Sequence, residues 1–84
     1  SLIHKAVDLA GGQIALARKI CAWHEARGGQ CRVRQQHVWK WLNEQKTPKP
    51  PAEHCRAIAD ITGISVYELR PDVFGSAPVM HVRI

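Results

Sequence analysis

Gln35-Gln36-His37-Val38-Trp39-Lys40-Trp41-Leu42 is the stretch that decides how this chain is read. Wound as a helix, it has two faces. Val38, Trp41 and Leu42 fall at i, i+3 and i+4 and make an apolar stripe fit for a core. Gln35, Gln36, Trp39, Lys40 and Asn43 take the rest of the circumference. Amides and a lysine without an acid suit a face that meets base edges and phosphates. The expectation is a recognition helix that binds double-stranded DNA. Trp39, next to an inward Trp41, should point outward. Two readings of it stay open: contact with a DNA sugar or thymine methyl, or cover by the extra loop or a second subunit.

The charge around this stretch supports a nucleic-acid partner. Residues 18–49 hold Arg18, Lys19, Arg27, Arg32, Arg34, Lys40, Lys46 and Lys49 against Glu25 and Glu44, an excess of +6. The remainder holds four basic and five acidic residues, a balance of −1. A local basic excess is the electrostatic footprint of a nucleic-acid binder, while its plain alternative is a solubilising face.

Other classes find little support. At 84 residues the chain has room for one domain and one modest core. No apolar run approaches the ~18–20 residues of a membrane span. The first residues lack the basic-then-apolar order of a signal peptide. Ser1 in place of Met points to a processed, truncated or engineered start. Three cysteines, Cys21, Cys31 and Cys55, have no paired spacing, which argues for free thiols in a reducing cytosol. Cys21 and Cys55 read as small buried hydrophobes. No Gly-rich phosphate loop, useful carboxylate pair or Ser-His-Asp order appears, so no enzyme and no cofactor are expected. His37 reads as a minor DNA contact, and His54 as an outer-face residue near Pro51.

Glycines and prolines divide the chain into about five short helices, an all-α class. Ile3, Ala6, Val7 and Ala10 set a helix over 2–10 that Gly11-Gly12 ends. Gln13 opens a second, with Ile14, Ala17 and Cys21 in register and Leu16, Ile20 and Trp23 widening the stripe. It runs to about Arg27, before Gly28-Gly29. A connector covers 30–33 and the third helix about 34–45. Pro51 is placed to start the fourth, which runs to Thr62 with Cys55, Ile58, Ala59 and Thr62 inward. Ser65-x-x-Glu68 is a capping box for a fifth that Pro71 cuts off. The domain is expected over 1–75. Residues 76–84 read as a tail, either mobile or a dimerisation strand.

The second and third helices resemble a helix-turn-helix of the Cro/lambda-repressor type. In that pattern Gln13 starts helix two, Ala17 permits a close crossing, and Val38 and Trp41 are the buried positions of the recognition helix. Gln35, Gln36, Trp39 and Lys40 fall where the family contacts bases. Gln13, Arg32, Arg34 and Lys46 are the phosphate candidates. The order GGQ, LAR, VWKWL, a Pro-rich turn, H-C-R-x-I, then Glu68-Leu69-Arg70-Pro71-Asp72-Val73-Phe74 is similar to the YdaS-like group of Cro-type regulators over about residues 2–74. That resemblance implies an all-helical DNA-binding fold and a repressor or antitoxin role in a prophage or toxin–antitoxin-like operon.

One departure stands out. Ala17 and Val38 are 21 residues apart, about twice the usual spacing, since an ordinary turn takes only ~3–4 residues. The surplus lies in Ala22–Arg32. It reads as a longer helix two with a longer loop, as a basic arm on DNA, or as a metal site built on Cys21, His24, Cys31 and His37. The expected protein is therefore a cytoplasmic regulator, a homodimer on a near-palindromic operator. Its rival is a helical module or antitoxin that binds a protein partner through Trp23 and Trp39.

Overall fold

In the computed structural model, which describes residues 1–44, 46 and 48–75, the chain forms short helices around one core. Helix α1 spans Leu2–Ala10 and buries Ile3, Ala6, Val7 and Ala10, the stripe its periodicity sets. It ends in a Schellman turn: Gly11 N–H donates to Asp8 O and Gly12 N–H to Val7 O, with Gly11 at φ 102°. Lys19 of the next helix donates from Nζ to Ala10 O at 2.9 Å, placing its charge on the negative end of α1.

Helix α2 spans Gln13–Glu25. Its turns continue through Ala26 and Arg27 and stop at Gly28, at φ 78°, where Gly28 N–H meets Glu25 O and Gly29 N–H meets His24 O. The glycine stop expected near Arg27 is therefore used. The packed face differs from the expected one. Leu16, Ala17 and Ile20 are buried, but Ile14 is 52% exposed and Cys21 only partly covered. The Ile14–Ala17–Cys21 stripe turns away from the core at both ends, while Leu16 and Ile20 are fully buried on the helix that α1 and later helices contact.

Helix α3 spans Gln35–Asn43 and buries Val38, Trp41 and Leu42. After Pro50, which is fully buried, Ala52–His54 forms a 3-10 turn, and α4 then runs over Cys55–Thr62. Pro51 precedes that turn instead of opening the α-helix. His54 N–H bonds Pro51 O, an i→i+3 contact that tightens the entry. Helix α4 is central, touching α1, α2 and α5. That wrapping buries Ala57 beside Cys55 and Ile58, while Ala59 and Thr62 are only half-covered. Thr62 Oγ1 instead donates to Ile58 O at 2.7 Å.

Helix α5, Val66–Leu69, carries the expected capping box: Tyr67 N–H donates to Ser65 Oγ and Ser65 N–H to Glu68 Oε2. Pro71 ends α5 but also opens a further short helix, α6, over Pro71–Phe74. Proline preset for a first helical position does both. Among the described residues there is no strand, and the expected strand in 76–84 lies outside them. The core joins residues of α1 to α5 with Val33 and Ile64 of the connecting segments.

Candidate nucleic-acid interface

One face of α2, along its whole length, and the outer face of α3 bound an open groove of about 1020 Å3. From α2 come Ile14, Ala17, Arg18, Cys21 and Glu25, which recur at helical spacing on one face. From the connector and α3 come Val33, Arg34, Gln35, Gln36, Trp39 and Lys40. Thus all four base-contacting candidates and Arg34 share one surface. Gln35 Nε2 approaches Gln13 Oε1 at 3.5 Å, so the first residues of the two helices meet across it.

The four basic or amide side chains that the connector and α3 bring to the groove, Arg34, Gln35, Gln36 and Lys40, are all exposed, with Val38 inward fixing the register of α3. Trp39 is 48% exposed, so the described fold does not cover it. Asn43 Nδ2 donates back to Trp39 O, which ties up the last polar side chain of that face. Arg18 and Lys40 form no ion pair with any described residue. Part of the basic excess is matched elsewhere: Arg27 pairs with Asp60 at 3.5 Å and Lys49 with Asp72 at 3.4 Å.

Two phosphate candidates stand apart from the groove. Arg32 lines a second hollow of about 500 Å3 with Cys31, His37, Trp41 and His54. Lys46 is exposed beyond the end of α3. The residues that sequence reasoning left out are Arg18, Cys21 and Ile14 as wall residues. Ile14 and Cys21 carried a signal in their i, i+7 spacing, but with Ala17 they were assigned to the core, and Arg18 was counted only in the basic excess.

The insertion is a structural brace. Trp23 Nε1 donates to Asp60 Oδ2 of α4 at 2.7 Å, and the Arg27 guanidinium lies 3.8 Å over the Trp23 ring. His24 meets Trp23 edge to face, and its Nε2 lies 3.0 Å from His54 Nδ1. The His54 ring lies tilted against Trp41, centroids 5.6 Å apart. His54 is therefore part of the packing between α2, α3 and α4, not an outer-face residue. Burial, above all, lowers its affinity for a proton; His24 and His37 act the same way and Glu53 opposes them. This is the longer-helix, longer-loop reading of the insertion.

His37 does not face the groove. Its Nδ1 accepts the Arg34 N–H at 2.9 Å, the return half of a capping box at the start of α3. Cys21 Sγ donates to Val33 O at 3.4 Å, and burial followed by the neighbouring Cys31 thiol pushes the Cys21 thiol up. Among the described residues no three His, Cys, Asp or Glu side chains gather as a metal site, and the four once grouped by sequence are divided among these other contacts. Nor is any described helix long and apolar enough to cross a membrane.

A family model described as bacterial toxin YdaS matches residues 3–78. The chain belongs to the YdaS toxin family. That match spans all of the helices and carries the ELRPDVF ending whose resemblance the sequence suggested. It ties the chain to small proteins of toxin–antitoxin type; the description itself says nothing of DNA. No curated protein and no solved structure matches the chain.

The Glu68–Phe74 segment has a mechanical role. Arg70 Nε and Nη2 grip both carboxylate oxygens of Asp72 at 2.9 and 2.8 Å. Its Nη1 donates to Pro50 O at 2.9 Å, and Lys49 Nζ also reaches Asp72. The Arg70–Asp72 pair thus fastens the proline-rich turn after α3 to α5 and α6. The Arg70 guanidinium holds the Asp72 carboxyl well below the usual carboxylate range, with Lys49 helping.

Proposed function

We propose that this YdaS-family protein is a Cro-like transcriptional regulator that binds double-stranded DNA, with α3 lying in the major groove. The observation that carries the reading is the shared exposure of Gln35, Gln36, Trp39 and Lys40 on α3, beside Gln13 at the start of α2. Gln35 or Gln36 would pair bidentately with adenine N6 and N7. Gln13, at the positive end of α2, with Arg34 and Arg18 beside it, would hold phosphates. Lys40 would anchor or read the same groove. A homodimer would set two α3 helices ~34 Å apart on a near-palindromic operator.

The proposed role is repression within a prophage or toxin–antitoxin-like operon in the cytoplasm. A repressor harms its cell when it shuts off a gene the cell needs, which reconciles DNA binding with a family described as a toxin. The test is selection of bound duplexes from a random pool, followed by a salt titration on the best site. Binding through several phosphates weakens steeply with salt, log K falling by ~0.9 per contact. No duplex binding at low salt would defeat the proposal.

A further inference from the structure

DNA binding leaves one part of the α2–α3 groove without a use. A duplex meets exposed rims, yet this groove has an apolar base of Ala17, Val33 and half-covered Cys21. Its two walls carry Ile14 at 52% exposure and Trp39 at 48%, the largest apolar side chains left open on these helices. Neither ordinary solubility nor phosphate contact calls for Ile14 in that place. The rim carries Arg18, Arg34 and Lys40 against the single acid Glu25. At about 1020 Å3 the groove sits at the upper end of the range for small-molecule pockets.

We infer that the groove between α2 and α3 docks an acidic amphipathic helix of a partner protein, and that this helix and DNA exclude one another. The occupant's apolar residues at i, i+3 or i+4 and i+7 would lie between Ile14 and Trp39 over the Ala17–Val33 base. Its carboxylates would face Arg18, Arg34 and Lys40, the charges offered to phosphates by the proposed function. Charge complementarity selects an acidic helix over a basic one and over a second copy, whose groove carries the same positive rim. Exclusion follows because Trp39, Lys40 and Arg34 serve both ligands. The inference rests on the DNA-binding reading only for this competition.

The test uses a fluorescein-labelled synthetic helix of about four turns, with Leu at i, i+4 and i+7 and Glu on the other face. A second peptide has the same composition with the leucines scattered, and a third has Lys for Glu. Anisotropy at low salt should show the patterned acidic peptide binding at least tenfold tighter than either control. Ile14→Ser should weaken that peptide about tenfold while duplex binding and the melting temperature stay unchanged, Ile14 being outside the DNA-contacting set. Unlabelled duplex should displace the peptide. Equal binding of the patterned and scattered acidic peptides would reduce the groove to a charged surface and overturn the inference, as would wild-type binding insensitive to Ile14→Ser. Peptide binding without any duplex binding would uphold the docking site and remove the DNA reading and its competition. Duplex binding without peptide binding would do the reverse.

Discussion

The Trp23 indole N–H donates to the Asp60 carboxylate at 2.7 Å, joining residues 37 positions apart and bracing the extended end of α2 on α4. Arg27 completes the brace by lying over the Trp23 ring and pairing with the same carboxylate. A half-buried Trp held this way supports the fold. Trp23→Ala should cost about 2 kcal/mol, roughly half the 3–5 kcal/mol typical of a fully buried aromatic. Urea unfolding checks this, with a lower midpoint at unchanged slope as the expected outcome.

His54 gives stability a defined pH dependence. The unfolded imidazole takes up a proton near pH 6.5. The folded ring, buried beside Trp41 and faced by His24, His37 and Glu53, takes it up only at lower pH. The unfolded state therefore binds more protons below that point, so the contribution is complete above about pH 6.5 and declines as pH falls through the window beneath it. Melting temperatures followed from about pH 8 to 5 should fall in the wild type and fall less steeply in His54→Gln. Parallel curves would assign the acid sensitivity to other groups.

Arg70 should tolerate replacement poorly even by lysine. A lysine cannot grip both oxygens of Asp72 and also reach Pro50 O, because it lacks the planar fork. Removing the Pro50 hydrogen bond alone costs on the order of 1 kcal/mol. Arg70→Lys is expected to lower the urea midpoint, and Asp72→Asn to lower it at neutral pH but less below pH ~4, where the wild-type carboxyl begins to lose its advantage. Amide exchange at Lys49, which carries the one backbone N–H in the run Pro48-Lys49-Pro50-Pro51, would report the loosened turn directly.

His37 is expected to act on α3 from behind. Its Nδ1 satisfies the Arg34 N–H, one of the backbone donors at the head of the helix. His37→Ala should cost about 1 kcal/mol, the usual size of a lost cap. It should also increase amide exchange at Gln35 and Gln36 without altering the number of phosphate contacts.

Readers and anchors on α3 should separate in their salt and sequence behaviour. Gln35→Ala and Gln36→Ala should relax sequence preference, each true bidentate pair being worth ~1–3 kcal/mol. Arg34→Ala should weaken all duplexes alike and lower the salt slope by ~0.9. Equal losses on selected and random DNA from the glutamine variants would show that they do not read bases. Arg32→Ala, in a separate hollow, should change the slope less than Arg34→Ala.

The sequence by itself determined the features that depend on neighbours a few residues away. Apolar spacing set α1 and the buried face of α3, Gly11 and Gly28 set two helix stops, and Ser65 with Glu68 set the head of α5. The exposed face of α3 followed at once, since inward Val38, Trp41 and Leu42 force the amides and Lys40 outward. Tertiary structure alone decided what depends on which helices become neighbours. Ile14, Ala17 and Cys21 have core spacing, yet Leu16 and Ile20 take the fully buried positions of α2 and that stripe lines a groove. The insertion offered Cys and His types that suit a metal, but α4 supplies Asp60 to Trp23 and the 3-10 turn before it supplies His54 to His24. Helical periodicity says which residues share a face; it does not say which face finds a partner, because that is settled by the burial and hydrogen bonds of the whole fold.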